Sequence, residues 1–191
     1  MNWGYKTTAQ EHCDNRELDY SRGKGLGGSS AINFGVFTRG AKANYDEWAR
    51  LVGDDTFAWD RIKARFNDLE TFHGDLPPGV DKKYAAPDPE NHGTEGPLHV
   101  GFAPEWERDL PPMLDVFEQA GFPLNPDHNS GNPIGMAPVI NSSTGGRRST
   151  ANDLLTPLPE NVTIVTESPV ERLVLEGNRA VGVESNGKQC G

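Results

Sequence analysis

Apolar residues recur every three or four positions between residues 57 and 72, and this spacing predicts an amphipathic helix over that stretch. Most charged residues of the stretch fall away from the apolar stripe. We therefore interpret the stripe as packing against a core or a cap rather than as a contact with a cofactor. Its residues are Trp59, Ile62, Phe66 and Leu69.

Two more helices are predicted from the signals at their ends. Asn44 and Glu47 have the spacing of a capping box, so a helix is expected from Asn44 to about residue 51. Asp109 and Leu110 precede two prolines and begin another helix, which Gly121 ends. The apolar positions of that helix are Met113, Val116, Phe117 and Ala120.

Strands are predicted in the middle and near the end of the chain. Residues 97–100 alternate in polarity, and residues 162–165 are rich in β-branched side chains. Residues 170–175 and 180–183 flank a β-hairpin turn of two residues, Gly177-Asn178. Together with the helices, these strands place the chain in a mixed α/β (α+β) class.

The composition is typical of a loop-rich globular protein. Apolar residues make up 35%, the mean hydropathy is -0.64, and there are 22 glycines and 15 prolines. A chain of 191 residues can bury a core, but the polar connections 74–93 and 123–146 dilute it, so we expect marginal stability. Residues 74–96 are expected to form an excursion on the surface.

The formal net charge of -10 argues against nucleic-acid or anionic membrane partners. No apolar run reaches the roughly 18–20 residues that span a bilayer, and the pattern of a secretory signal is missing. As written, the chain is expected in the cytoplasm, and secretion would require a leader ahead of it. Cys13 and Cys190 are expected to be free thiols, and His92 and His99 have no further ligand at metal-binding spacing.

The main candidate site is the glycine-rich loop, residues 22–35. Four of its six residues from Gly23 to Gly28 are glycines, which let the backbone approach a ligand, and a short helix is expected to follow with its N–H groups facing an anion. The spacing satisfies G-x-G-x-x-G, but no buried strand precedes it, so we do not interpret it as a Rossmann fingerprint. From this pattern alone, a tight glycine turn without a ligand remains open.

The longer string around the loop resembles the first signature of the glucose-methanol-choline (GMC) flavoprotein oxidoreductases. The matching residues are Gly23, Lys24, Leu26, Gly27, Gly28, Ser29, Ser30, Ile32, Asn33, Arg39, Gly40, Asp46 and Trp48. Further segments similar to the family are residues 3–5, 92–98, 145–151 and 161–165. The resemblance spans essentially the whole chain.

The resemblance implies an FAD site. The residues expected along the FAD pyrophosphate and ribityl chain are Gly25, Leu26, Gly27, Gly28 and Ser29. Those expected to run past the flavin ring are Asn33, Phe34, Gly35 and Val36, and Val170 is expected to contact the adenine through its backbone. A few relatives have a covalently flavinylated histidine at the position of Ile32, and since isoleucine cannot form that bond, the FAD is expected to be non-covalent.

The resemblance also implies the organisation of the chain. Residues 1–40 correspond to part of the FAD-binding domain, residues 41–150 to a cap and part of the substrate-binding region, and residues 151–191 to the return into the FAD-binding domain. Residues 145–150 are interpreted as a structural turn rather than a second anion site. The five histidines fall outside the family's catalytic motif, so the chain is expected to be an internal fragment with no catalytic residue of its own.

Two functions follow from these observations. The first is FAD-dependent oxidation of the CH–OH group of a small-molecule alcohol, in a chain that lacks the catalytic base. The second is a non-catalytic remnant or interaction module with weak or no FAD binding. The resemblance does not specify the alcohol, the electron acceptor or the oligomeric state.

Overall fold

The computed structural model describes residues 1–191 and contains short elements joined by long connections. The chain divides into two units, Met1–Pro157 and Leu158–Gly191. The helices of the first unit are α1 (Lys42–Val52), α2 (Trp59–Leu69) and α3 (Leu110–Gln119). Its strands are β1 (Tyr5–Lys6), β2 (Asp19–Tyr20), β3 (Glu70–His73), β4 (Leu98–Gly101), β5 (Ser143–Thr144) and β6 (Arg147–Arg148). No helix is long and apolar enough to cross a membrane.

The sheet around β3 and β4 positions the end of the glycine-rich loop. The two strands are parallel, and backbone bridges extend the pairing from Gly101 to Asn141 and from Asn141 to Val36. Two backbone hydrogen bonds secure this extension: Gly101 N to Asn141 O at 2.9 Å and Phe37 N to Ile140 O at 2.8 Å. The loop therefore leads directly into a strand-like segment at the edge of the core.

The core lies on one side of these paired segments. Val100 and Ile140 have no exposed surface. Ala85 and Phe102 complete the buried cluster, and partly buried aromatic side chains pack against it. Much of this core comes from connections rather than from helices.

Helix α2 confirms the predicted helix over residues 59–69 but not its last three residues. Trp59 is buried and packs against Tyr45, whereas Leu69 at the other end of the stripe is 37% exposed. The chain turns into β3 at Glu70 because that carboxylate is buried and β3 pairs with β4. The predicted helix end at residue 72 is therefore wrong.

Helix α1 begins two residues before the predicted cap. Ala41 occupies the capping position, and Asn44 lies inside the first turn, so the predicted capping box is wrong. The start of the helix is instead held by a distant contact, in which Lys42 N donates to Gly131 O at 2.7 Å. A contact of this kind leaves no local sequence signal.

Three other predictions have clear outcomes in the first unit. The helix beginning at Leu110 and the strand at residues 97–100 are confirmed as α3 and β4. The connection 74–96 is not simply an excursion on the surface, because Tyr84, Ala85 and His92 are buried. Tyr84 reaches α3, where its hydroxyl donates to Asp115 at 3.0 Å.

The second unit is a three-stranded antiparallel meander. Its strands are β7 (Val170–Glu176), β8 (Arg179–Ser185) and β9 (Lys188–Cys190). The predicted hairpin is confirmed, with Gly177 at positive φ in its turn. The predicted strand at residues 162–165 is wrong, since no strand pairs with it and Val165 is 70% exposed.

Candidate functional site

The backbone of the glycine-rich loop folds tightly upon itself. A 3₁₀ turn covers Gly28–Ala31, and Gly23 N donates to Ser29 Oγ at 3.1 Å. A Cβ atom on Gly23 would lie 2.0 Å from the carbonyl oxygen of Gly28, so no other residue fits there. This close approach requires glycine at the first position of the pattern.

The same loop also has open space around it and amides without a partner in the chain. A Cβ atom on Gly25 or Gly28 would meet no atom within 4 Å. The amides of Gly25, Leu26 and Gly27 donate to no acceptor of the chain. Successive unpaired N–H groups in a glycine-rich turn suit an anion such as a pyrophosphate, so this loop fits the expected group.

The inner side of the loop is held by the hairpin segment, which we define as residues 142–153. It contains β5 and β6 and then a 3₁₀ turn whose cap, Thr150, forms a capping box with Asp153. Two backbone amides of the segment bind the loop: Ser142 N donates to Gly35 O at 2.7 Å, and Ala151 N donates to Ser30 Oγ at 2.9 Å. The interpretation of residues 145–150 as a structural turn agrees with this geometry.

The expected FAD-binding residues lie in two places. Those from Gly25 to Ser29 and from Asn33 to Val36 lie in one segment of the first unit, where the side chains of Leu26, Phe34 and Val36 are exposed and that of Phe34 is 99% exposed. Val170 lies in the second unit, at the start of β7. Ile32, which immediately follows the 3₁₀ turn, is half-buried.

A buried ionic cluster lies just beyond the loop and was not foreseen from the sequence. The Arg39 guanidinium forms an ion pair with Glu70, and neither side chain has exposed surface. Glu70 Oε1 also contacts His92 Nδ1 at 2.9 Å and accepts from Gly93 N at 3.0 Å. Asp127 lies on the other side of the His92 ring, 3.4 Å from Nε2.

Burial and charge act in opposite directions in this cluster. Burial lowers the pKa of Arg39, although Glu70 favours its charged form. Burial alone would also lower the pKa of His92, but its hydrogen bonds to Asp127 and Glu70 outweigh burial, and the pKa lies above its usual value. Burial raises the pKa of Asp127, yet His92 outweighs it and the net shift is downward. The cluster therefore favours a protonated His92 between two carboxylates.

The role of this cluster is to fix the chain that follows the glycine-rich loop. Besides the ion pair, Arg39 Nη1 donates to the carbonyl of Asn91 at 2.6 Å, and Arg39 N donates to Asn129 Oδ1 at 3.0 Å. The spacing of residues around His92 gives no sign of these carboxylates, because Glu70 and Asp127 reach it from distant segments. A single polar residue in a loop gives no local sequence signal that it will contact a charged residue from a distant segment.

His128 lies beside the cluster and is half-buried. Burial lowers its pKa, against a smaller opposing effect of its hydrogen bond to the backbone of Phe37. Its Nε2 atom is buried and has no hydrogen-bond partner, so the expectation that His128 serves loop hydrogen bonding stays a prediction.

Comparison with known proteins decides the family. Residues 5–191 match the sequence model of the GMC oxidoreductases. The chain belongs to the GMC oxidoreductase family. The mixed helix and strand architecture is accordingly that of part of a GMC FAD-binding domain, as predicted.

Individual GMC relatives give the same picture. An oxygen-dependent choline dehydrogenase from Stenotrophomonas maltophilia is 37% identical over 189 residues, which cover 96% of this chain and 31% of the relative. The chain thus spans about a third of the length of the curated relatives it matches.

Solved structures agree with these relatives. Pyridoxine 4-oxidase from Mesorbium loti is 30% identical, with a TM-score of 0.80 over 98% of this chain and 35% of that protein. An FAD-dependent oxidoreductase from Chaetomium thermophilum is 25% identical, with a TM-score of 0.84 over 96% of this chain and 32% of that protein.

Proposed function

We propose that this chain supplies part of the FAD site of a GMC enzyme that oxidises the CH–OH group of a small-molecule alcohol. The observation that carries the proposal is the glycine-rich loop, in which the amides of residues 25–27 have no acceptor in the chain and Cβ atoms on Gly25 or Gly28 would meet no atom within 4 Å. Residues 1–40 and 151–191 would belong to the FAD-binding domain, and residues 41–150 to the cap and substrate region.

The loop residues would divide the binding of FAD between them. Residues Gly25 to Ser29 would lie along the pyrophosphate and the ribityl chain, residues 33–36 would line the flavin ring, and the backbone of Val170 would contact the adenine. When bound, FAD supplies the acceptor for a hydride from the carbinol carbon. Ile32 has no nucleophilic atom, which supports non-covalent binding.

The names of the relatives support the substrate class. Choline and pyridoxine, which appear in the names of two of them, are both small hydroxyl-bearing molecules. The proton acceptor for an alcohol is proposed to come from outside these 191 residues, because none of the five histidines matches the family's catalytic motif. This chain would bind and orient the cofactor.

Gly28 offers a direct test of the site. Its φ of +54° lies in the left-handed region that Asn and Asp tolerate, and its Cβ position is open, so Gly28→Asp and Gly28→Asn should both fold. The added carboxylate of Gly28→Asp would repel a pyrophosphate, and we expect FAD to bind at least about tenfold more weakly than to Gly28→Asn. Flavin absorbance retained through gel filtration and fluorescence titration would measure this.

The outcome separates two functions. Stoichiometric binding that Gly28→Asp impairs and Gly28→Asn largely preserves supports the FAD site. Equal affinity of the two variants, or no binding by the parent chain, overturns it. The second result would favour a non-catalytic interaction module, for which the exposed apolar side chains of Leu26, Phe34 and Val36 offer a contact surface.

A further inference from the structure

We propose that Arg148 is a positioning residue of the flavin site, which holds the side chain of Asn33 with its amide nitrogen turned outward toward the ligand. This inference rests on the proposed function, because Asn33 belongs to the segment expected to line the flavin ring. It assigns a role to a residue outside the glycine-rich loop.

The orientation of Asn33 follows from its two neighbours. Arg148 Nη1 donates to Asn33 Oδ1 at 2.7 Å, and Gly35 N donates to the same oxygen at 3.0 Å. Both neighbours are donors, so the oxygen of the amide must face them. The NH₂ group then points away from the hairpin segment, where it can donate to a ligand.

Arg148 itself is held by the fold of its own segment. It pairs with Ser143 across the β5–β6 hairpin, and the next residue, Ser149, donates from its backbone N to Ser142 O at 2.8 Å. Arg148 Nη1 also lies 3.4 Å from the carbonyl oxygen of Ser30. A single guanidinium thus connects the hairpin to both the 3₁₀ turn and the Asn33 side chain.

The adjacent arginine provides a matched comparison. Arg147 is the neighbouring residue on the same short strand, and its guanidinium pairs with Asp153 at 2.7 Å instead of with the glycine-rich loop. The two residues have the same chemistry and nearly the same sequence position. They differ in whether they contact the loop.

The first experiment measures FAD affinity of the full chain with Arg148→Met, Arg147→Met and Arg148→Lys. Loss of one charge-assisted hydrogen bond predicts an FAD Kd about ten- to a hundredfold higher for Arg148→Met. Arg147→Met should stay within about twofold of the parent chain. Arg148→Lys should be intermediate, because lysine keeps the charge but not the planar fork.

The second experiment measures amide hydrogen exchange without FAD. Gly35 N–H donates to the oxygen that Arg148 orients, so its exchange should accelerate in Arg148→Met and not in Arg147→Met. Asn33→Asp keeps an acceptor for both donors but has no NH₂ group. It should leave this exchange unchanged and still weaken FAD binding.

The results separate this inference from the proposed function. If the parent chain binds no FAD, the proposed function fails, and the exchange of Gly35 still tests whether Arg148 orders Asn33. If Arg148→Met binds FAD as tightly as Arg147→Met, the positioning role is overturned, whatever the exchange shows. If Asn33→Asp binds FAD as tightly as the parent chain, the outward amide is not used and the inference is overturned too.

Discussion

Glu70 is a residue on which several buried polar contacts of the first unit converge. One of its carboxylate oxygens contacts Arg39, His92 and the amide of Gly93, and the side chain has no exposed surface. An arrangement of this kind is fragile, because removing one charge leaves the others buried without compensation. The segment after the glycine-rich loop therefore depends on a carboxylate 31 residues away.

Glu70→Gln should expose this dependence. The substitution keeps the shape of the side chain and removes its charge, so Arg39 loses its partner inside the protein. We expect the free energy of unfolding to fall by about 3–5 kcal/mol, measured by urea denaturation. The matched control is Glu47→Gln, whose exposed partner is Arg50. A similar loss in both variants would contradict the buried role of Glu70.

Sequence reasoning succeeds for residues whose role is set by their neighbours in the chain. The glycines of the loop were predicted because close approach and positive φ demand glycine locally, as the 2.0 Å contact at Gly23 shows. Arg39 and Glu70 were not predicted as a pair, since neither residue has a local reason to be buried. The family signature includes Arg39, but it does not indicate that the guanidinium is buried against Glu70.

At the scale of the element, the ends of helices were harder to predict than their existence. Helix α2 is ended by β3, whose partner β4 begins 28 positions beyond Glu70 at Leu98. Conversely, the third strand of the second unit was missed although Asn186 and Gly187, both at positive φ, form a strong hairpin signal. The first error came from a distant contact, and the second from an unused local signal.

Helix α3 carries a prediction of its own. Leu114 is 1% exposed, whereas Val116 on the same helix is 63% exposed. Leu114→Ala should therefore lower the free energy of unfolding by about 2–5 kcal/mol through the cavity it creates. Val116→Ala should change it by no more than about 0.5 kcal/mol. Thermal or urea unfolding followed by circular dichroism measures both, and equal effects would show that α3 packs differently.

At the scale of the whole molecule, the ionic cluster predicts how stability depends on pH. The pKa of His92 is raised on folding, so its contribution is complete below the unfolded value of about 6.5 and is lost as pH rises through the folded value. The pKa of Asp127 is lowered, so its contribution is complete above about 3.9 and is lost as pH falls through the folded value. Both contributions are therefore complete between about pH 4 and 6.5.

Urea unfolding at pH 6 and pH 9 tests this dependence. The parent chain should lose stability between the two values, and His92→Gln should lose less because it cannot titrate. The interpretation fails if the variant shows the same decline as the parent, since another group would then be responsible.

The overall architecture was predictable mainly through resemblance. Periodicity gave α2, α3, β4 and the second-unit hairpin, but it did not show that residues 84–85, 92 and 140 build the core from connections. The apolar residues, which make up 35% of the chain, are scattered among many polar segments. Hydrophobic periodicity therefore underestimates how many residues are buried by tertiary contacts. The loop itself was predicted, whereas its contact with Arg148 was not.

The separation of Asn33 and Arg148 along the chain also has a consequence for biogenesis. They are 115 residues apart, so at a translation rate of about 5–20 residues per second the arginine emerges on the order of 6 to 23 seconds after the asparagine. Contacts of such high sequence separation form only after the intervening chain has closed. The loop therefore reaches its final geometry late, and the proposed binding of FAD there would require that the chain has been synthesised beyond Arg148.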